Sequence, residues 1–160
     1  MDFMIKNYLE RPDTESLLAE KLILLSEDEK LKTQIKIPLN KTFYSSVISH
    51  SYYAIFYAAK ALLLTKRIRT QAPEVHKKTY NAFKKEFVDT GILDLEILKL
   101  YKKAILRADT LLAIMSMEKK KRGDFTYKTI PQANKEPAKE SVDNAKKFII
   151  TITEIIESKQ

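Results

Sequence analysis

The spacing of apolar residues predicts helices along most of the chain, and the clearest pattern lies between residues 42 and 66. Apolar side chains there follow the helical period on one side and fill much of the other. The first side carries Phe43, Val47, His50, Ala54, Tyr57, Ala61 and Leu64, and the other carries Ile48, Tyr52, Ile55, Ala59 and Leu62. A helix that is apolar almost all round is central or buries a second face in a partner. This pattern therefore predicts a central helix and gives a first indication of self-association.

The N-terminal segment predicts two helices separated at a proline. The first covers about Asp2 to Leu9, and it should stop before Pro12 because a residue that precedes proline is disfavoured in the α conformation. Asp13 or Thr14 can cap the next helix. Its apolar stripe is Leu17, Leu18, Leu22 and Leu25, and it should end before Pro38.

Proline, glycine and aspartate mark the ends of the remaining helices. Pro73 suits the first turn of one helix, and Gly91 is placed to terminate it. Asp94 can cap a long helix that runs into a basic segment and breaks at Gly123. A polar loop follows, and Pro137 opens the last helix, whose apolar positions are Val142, Ala145, Ile149, Ile152 and Ile156. The sum is an all-α, antiparallel up-and-down bundle of about five helices in one domain, residues 1–160.

Composition narrows the classes of function. The chain has 160 residues, two glycines and no cysteine, which excludes disulfides and thiolate chemistry. His50 and His76 lie far apart in the sequence, so we expect neither a metal centre nor a cofactor. No apolar stretch approaches the ~20 residues of a membrane span, so a cytoplasmic protein is expected. The net charge of +8 suits either a polyanionic partner such as nucleic acid or a solvated, lysine-rich surface.

The segment from Glu118 to Tyr127 is the best functional clue. Its basic residues Lys119, Lys120, Lys121 and Arg122 are followed by Gly123, Asp124, Phe125, Thr126 and Tyr127. Lysines and an arginine can bind phosphates, and aromatic rings can stack on bases. A charge run at a helix end can equally be a solvated face that complements the helix dipole.

Five pieces of the sequence together resemble HEPN-domain proteins, in particular the small prokaryotic subgroup related to UPF0332. They are the helix Ser51–Leu64 (SYYAIFYAAKALLL), the run Val75–Lys78 (VHKK), the stretch Phe83–Leu95, the element Arg122–Phe125 (RGDF) and the tail Glu136–Phe148. The resemblance covers about residues 43–156. It implies a helical homodimer, and many such proteins are encoded beside a small nucleotidyltransferase that acts as their antitoxin. In active members an arginine and a histidine four to six residues later lie at the dimer interface and cleave RNA without a metal.

This chain departs from that arginine–histidine pattern. Arg122 matches the arginine, but Tyr127 stands five residues on, and no histidine follows. A tyrosine, with a reference pKa of about 10, is a poor base near neutral pH. Endoribonuclease activity through Arg122, Asp124 and Tyr127 therefore stays open. The alternative is a non-catalytic helical module that regulates a partner nucleotidyltransferase. Separately, His76 is either a partly exposed capping residue or a catalytic substitute that reaches into the cleft.

Overall fold

The computed structural model describes residues 3–120 and 135–159, and it describes side chains over residues 3–111 and 135–159. Six helices span these residues: α1 (Phe3–Glu27), α2 (Glu29–Gln34), α3 (Tyr44–Thr65), α4 (Val75–Phe83), α5 (Leu95–Lys120) and α6 (Lys135–Ser158). A π-helical turn, Lys84–Val88, extends α4. The described residues contain no strand, which confirms the predicted all-α fold.

The long helices α1 and α3 pack against each other in antiparallel orientation. The guanidinium carbon of Arg11, early in α1, lies 4.7 Å from the ring centre of Tyr57, late in α3. At the other end, the Tyr44 hydroxyl donates to Glu27 Oε1 at 3.1 Å. Because early residues of one helix meet late residues of the other, the two helices run in opposite directions. The predicted antiparallel packing is confirmed for this pair.

Helix α3 is the central element of the core, as its apolar pattern predicts. It contacts α1, α4, α5 and α6. Its alanines Ala54, Ala58 and Ala61 are completely buried, and small side chains at these positions let the neighbouring helices approach closely. By length and composition the 22-residue α3 could also cross a membrane, contrary to the sequence reading, but most of it is buried inside the bundle, as expected of a core helix.

Helix α1 continues through Pro12, so the predicted break before this residue is wrong. A proline inside a helix removes the hydrogen bond to the carbonyl four residues earlier, at a cost of ~3 kcal/mol. Contacts beside the proline help to offset this cost: within α1, Arg11 Nε donates to Glu15 Oε1 at 3.0 Å, and the guanidinium of Arg11 covers Tyr57 of α3. Pro12 itself is buried.

The buried face of α1 also differs from the predicted leucine stripe. Of the predicted stripe, Leu17 and Leu18 are 55% and 42% exposed, whereas Leu22 and Leu25 are half-buried; Leu24, outside the stripe, is 43% exposed. The buried positions are Pro12, Glu15, Ser16, Ala19 and Ser26. Polar contacts to α3 fix this rotation of the helix, since Glu15 binds His50 and the Ser26 hydroxyl accepts the backbone N–H of Phe43 at 2.8 Å. Leu17, Leu18 and Leu24 therefore form an apolar strip on the outer face of α1.

A short separate helix follows α1, which ends at Glu27 rather than running on towards Pro38. The Asp28 side chain interrupts the helix and caps α2 by accepting the N–H of Leu31 at 2.9 Å. Lys32 of α2 is 2% exposed, and its Nζ donates to the carbonyls of Leu39 and Lys41 at 2.9 and 2.7 Å. The connection to α3 is thus held by a buried lysine.

Pro73 lies before α4 rather than in its first turn. The helix begins at Val75, after Glu74, whose φ of +56° is left-handed. A helix that started at Pro73 would require helical backbone at Glu74, so this reversal of the chain delays its start. The predicted stop at Gly91 agrees with the structure: Gly91 has a φ of +75°, and its N–H donates to the carbonyl of Val88 at 3.0 Å.

Helices α5 and α6 are antiparallel and are tied together at one end by charged groups. The rings of Tyr101 and Phe148 lie 5.7 Å apart. Further along α5, Arg107 Nη2 donates to Glu140 Oε2 at 2.7 Å and Nη1 to Ser141 Oγ at 3.1 Å. The predicted apolar face of α6 is buried, with Ala145 and Ile152 at 0% exposure and Val142, Ile149 and Ile156 at 8% or less.

Candidate ligand-binding cleft

A cleft of about 650 Å³ opens between α3, the start of α4 and the middle of α5. Its volume falls in the range of pockets that hold small molecules. Aromatic and apolar side chains form most of its wall: Tyr52, Tyr53, His76, Tyr80, Ile105, Leu106, Ala108 and Leu111. Lys77, Lys102 and Asp109 supply charges, and Ser49 completes the set. An apolar wall with a few charges suits a ligand that has a flat organic part and an anionic part.

Tyr52 and His76 form a hydrogen-bonded pair in this cleft. The Tyr52 hydroxyl lies 2.7 Å from His76 Nδ1, and either atom can be the donor, depending on the histidine tautomer. Tyr52 projects from α3, one turn before the buried Phe56, and His76 is the second residue of α4. Because Nδ1 is occupied by Tyr52, Nε2 is the ring nitrogen through which His76 can exchange a proton with a ligand.

Aromatic rings of α3 lie beside the imidazole of His76, a residue that otherwise remains exposed. Its ring centre lies 4.4 Å from that of Phe56, 5.7 Å from that of Tyr52 and 6.2 Å from that of Tyr53. These spacings are those of favourable aromatic contacts. The orientation of His76 is therefore fixed both by packing and by the hydrogen bond to Tyr52.

The surroundings favour the neutral form of both groups. Burial, followed by the neighbouring Tyr53 and the carboxylate of Asp109, raises the pKa of Tyr52 well above its ordinary value. Burial, followed by the ammonium of Lys60, lowers the pKa of His76 below 6.5. Near neutral pH the cleft thus holds an uncharged imidazole beside a protonated phenol, which is an arrangement suited to accepting a proton.

The basic segment is connected directly to one wall of the cleft. Leu111 lines the cleft, and α5 continues as a helix from there to Lys120, a rise of about 14 Å along the axis. Lys119 and Lys120 belong to this helix, but their side chains are outside the described residues. Lys121, Arg122, Asp124 and Tyr127 lie wholly outside them. The predicted site at these residues accordingly stays a prediction.

Sequence patterns alone assigned Tyr52 mainly to packing. They left open whether His76 is a capping residue or a catalytic substitute. The two residues are 24 positions apart, so no local sequence pattern predicts that they make contact. The other histidine, His50, is hydrogen-bonded elsewhere: its Nδ1 lies 2.6 Å from Glu15 Oε2, away from the cleft. Within the described ranges, no three His, Asp or Glu side chains cluster in a way that could hold a metal ion.

Comparison with known proteins adds sequence relationships to this geometry. The chain matches the HEPN domain over residues 24–156. A Thermotoga maritima protein named "UPF0332 protein" is 30% identical over 122 residues, which cover 76% of this chain and 80% of that protein. A Methanocaldococcus jannaschii protein named "Putative toxin MJ0142" is 39% identical over 74 residues, 46% of this chain and 48% of that protein.

A second protein of the same archaeon, "Putative toxin MJ0605", is 34% identical over 71 residues, 44% of this chain and 51% of that protein. The chain thus spans about half the length of the two toxin-named relatives that it matches. No solved structure gives a significant match.

Proposed function

Because the chain belongs to the HEPN-domain family, we propose that it is a cytoplasmic homodimer that binds RNA or a nucleotide. In this proposal residues 1–160 form one HEPN-like domain, and the protein is the toxin-like component of a pair with a small nucleotidyltransferase antitoxin. The names of two relatives support the toxin-like role. The chemistry of the cleft supports the choice of ligand.

The cleft between α3, α4 and α5 is the observation that carries this proposal. A nucleobase has a flat π face that can lie against tyrosine rings, and Tyr53, which lines the cleft, is 39% exposed. A phosphate needs cations, and Lys77 and Lys102 line the same cleft. The net charge of +8 would add long-range attraction to a polyanion.

The basic segment would extend this surface along the nucleic acid. Lys119, Lys120 and Lys121 would neutralise phosphates, and Arg122 would clamp one with its planar guanidinium. If Arg122, Asp124 and Tyr127 retain cleavage, Arg122 would stabilise the charge that develops on phosphorus, without a metal or cofactor. This degenerate site is proposed from the resemblance alone.

Binding of a fluorescently labelled single-stranded RNA tests the proposal. Affinity should fall steeply between about 50 mM and about 200 mM salt, because lysine–phosphate contacts release counterions. Lys77→Ala, Lys102→Ala and Arg122→Ala should each weaken binding and flatten the salt dependence. Lys30→Ala is the matched control, since Lys30 is an exposed lysine on α2 outside the cleft. Absence of salt-sensitive binding would refute the proposal.

Sedimentation of the purified protein tests the homodimer. A dimer should persist at micromolar concentration, and a lone protomer at high concentration would refute the homodimer. This measurement is independent of the ligand, so the two parts of the proposal can fail separately.

A non-catalytic module that docks on a partner nucleotidyltransferase is the second candidate. The outer strip of α1 favours it, since Leu17, Leu18 and Leu24 are large apolar residues that the described bundle leaves exposed. Replacing the three leucines with serine should abolish co-purification with the partner enzyme and leave the helical content unchanged. Clean RNA turnover by wild-type protein would exclude a purely regulatory role.

A further inference from the structure

We propose that the cleft receives one ribonucleotide unit and that His76, held by Tyr52, accepts its 2′-hydroxyl proton. The inference rests on the proposed RNA or nucleotide binding and gives it a site and a chemical role. His76 would supply the proton-transfer group that position 127 lacks.

The imidazole of His76 is held at the wall of the cleft by Tyr52 and Phe56. His76 lines the cleft, its Nδ1 is engaged by Tyr52 at 2.7 Å, and the ring of Phe56 lies 4.4 Å away. A general base must be held within reach of the proton it removes, and a ring fixed on two sides meets the positional part of that need. In the tautomer that serves as a base, Nδ1–H donates to the Tyr52 oxygen, and Nε2 carries the free lone pair.

Titratable groups from α3, α4 and α5 lie around the imidazole and affect its protonation. Besides Tyr52, these groups are Tyr53 and Lys60 on α3, Lys77 and Tyr80 on α4, and Lys102 and Asp109 on α5. Burial and the nearby Lys60 lower the pKa of His76, so the neutral form that accepts protons prevails at neutral pH. The lysines that line the cleft would bind the phosphate next to the 2′-hydroxyl.

The reaction that follows balances without a cofactor. The 2′-oxygen attacks the adjacent phosphorus as its proton moves to Nε2 of His76, and the bond from phosphorus to the 5′-oxygen breaks. The leaving 5′-oxygen takes a proton from the ammonium of Lys77 or from water. The products are a 2′,3′-cyclic phosphate and a 5′-hydroxyl. His76 would be a catalytic residue and Tyr52 a positioning residue.

Two variants with matched controls test the roles. His76→Gln should lower the cleavage rate of a short RNA about 100-fold or more, the range of a positioned base. It should leave binding of the same strand with 2′-deoxyribose nearly unchanged. Tyr52→Phe should give a smaller loss and shift the pH titration of His76. His50→Gln and Tyr44→Phe are the controls: His50 contacts Glu15 and the Tyr44 hydroxyl contacts Glu27, both away from the cleft.

The pH profile and the ligand titration provide readouts that a structural role would not give. The wild-type rate should fall as pH drops through the His76 pKa, below about 6.5, because protonation removes the base. In an NMR titration of the full chain, adenosine monophosphate or the deoxy strand should move the His76 ring signals. Movement with the mononucleotide assigns the site to a free nucleotide as well, and movement with the strand alone assigns it to RNA.

The outcomes distinguish failure of the proposed function from failure of the role proposed for His76. Loss of all RNA and nucleotide binding in wild-type protein would overturn the proposed function and this inference with it. Binding without cleavage, cleavage that His76→Gln leaves at the wild-type rate, or ligand binding that moves no His76 signal would overturn this inference alone.

Discussion

Glu15 Oε2 lies 2.6 Å from His50 Nδ1, and this contact joins the polar face of α1 to the central helix α3. Glu15 is 8% exposed, and its other carboxylate oxygen accepts a hydrogen bond from Arg11 at 3.0 Å. A nearly buried carboxylate thus has a partner on each oxygen. The pair favours the rotation of α1 that leaves Leu17, Leu18 and Leu24 exposed, because turning Glu15 away from α3 would break its contact with His50.

Glu15→Gln should therefore lower the free energy of unfolding by about 1–3 kcal/mol, because it replaces a nearly buried carboxylate, which accepts a hydrogen bond on each oxygen, with an amide that has one acceptor oxygen. Urea denaturation measures the change. Glu20→Gln on the same helix is the control: Glu20 is 47% exposed and pairs with Lys146 at the surface, so the expected change is below about 1 kcal/mol. Equal losses in the two variants would contradict this account of α1.

Lys32→Met should destabilise the connection between α2 and α3. The methionine fills a similar space but leaves the carbonyls of Leu39 and Lys41 without their donor, at a cost of about 1–3 kcal/mol. Limited proteolysis should show earlier cleavage within residues 35–43. Lys30→Met, at an exposed position of the same helix, should have no such effect. Unchanged protease resistance in Lys32→Met would show that the buried ammonium does not hold this connection.

Ser26→Ala tests a cap that comes from another helix. The N–H of Phe43 at the start of α3 is satisfied by the Ser26 hydroxyl of α1, at 2.8 Å. Loss of an N-terminal cap costs ~1 kcal/mol. Thermal denaturation should register that loss for Ser26→Ala and little change for Ser46→Ala, an exposed serine in the first turn of α3. A larger effect at Ser46 would overturn the assignment.

Glu140 makes stability depend on pH in the acid range. Hydrogen bonds from Lys103 and then Arg107 lower its pKa from 4.5 to about 2. A carboxylate whose pKa is depressed on folding stabilises the protein fully above its unfolded pKa, and this contribution is lost as pH falls from about 4.5 towards 2. The side chain is 45% exposed, so the contribution is small, about 1 kcal/mol or less.

The comparison of wild type with Glu140→Gln isolates this effect. The difference in free energy of unfolding should be present at pH 6 to 7 and should shrink as pH falls below about 4.5. A difference that does not change with pH would mean that the carboxylate charge is not what ties α5 to α6.

The periodicity of apolar residues located the helices that are amphipathic or wholly apolar. It failed where contacts between helices determine how far a helix extends and which face it buries. The apolar pattern of α3 and the heptad-like spacing that begins at Val142 were sufficient to predict their burial. Pro12 was read as a break because its local cost is visible in sequence, whereas the packing of Arg11 on Tyr57 that offsets this cost is not. The outward leucines of α1 follow from the Glu15–His50 contact, which joins residues 35 positions apart.

The candidate cleft was predictable in part. The tyrosine-rich stretch of α3 and the histidine at the start of α4 were visible as separate features of the sequence. Their meeting requires the reversal at Glu74 to bring the first turn of α4 back against α3. The predicted residues Arg122, Asp124 and Tyr127 lie outside the described residues, and they stay a prediction to be tested by the variants above.

The completely buried alanines of α3 bear on how such a cleft can change over time. Ala54, Ala58 and Ala61 act as spacers, and a bulkier side chain at any of them would push a neighbouring helix outward. Since α3 carries Tyr52 and Tyr53 into the cleft, a change in how α3 packs would move these rings without altering any group that meets the ligand. Substitutions in the core of the bundle could thus change which ligand the cleft accepts, although an inspection of the cleft lining would not identify them.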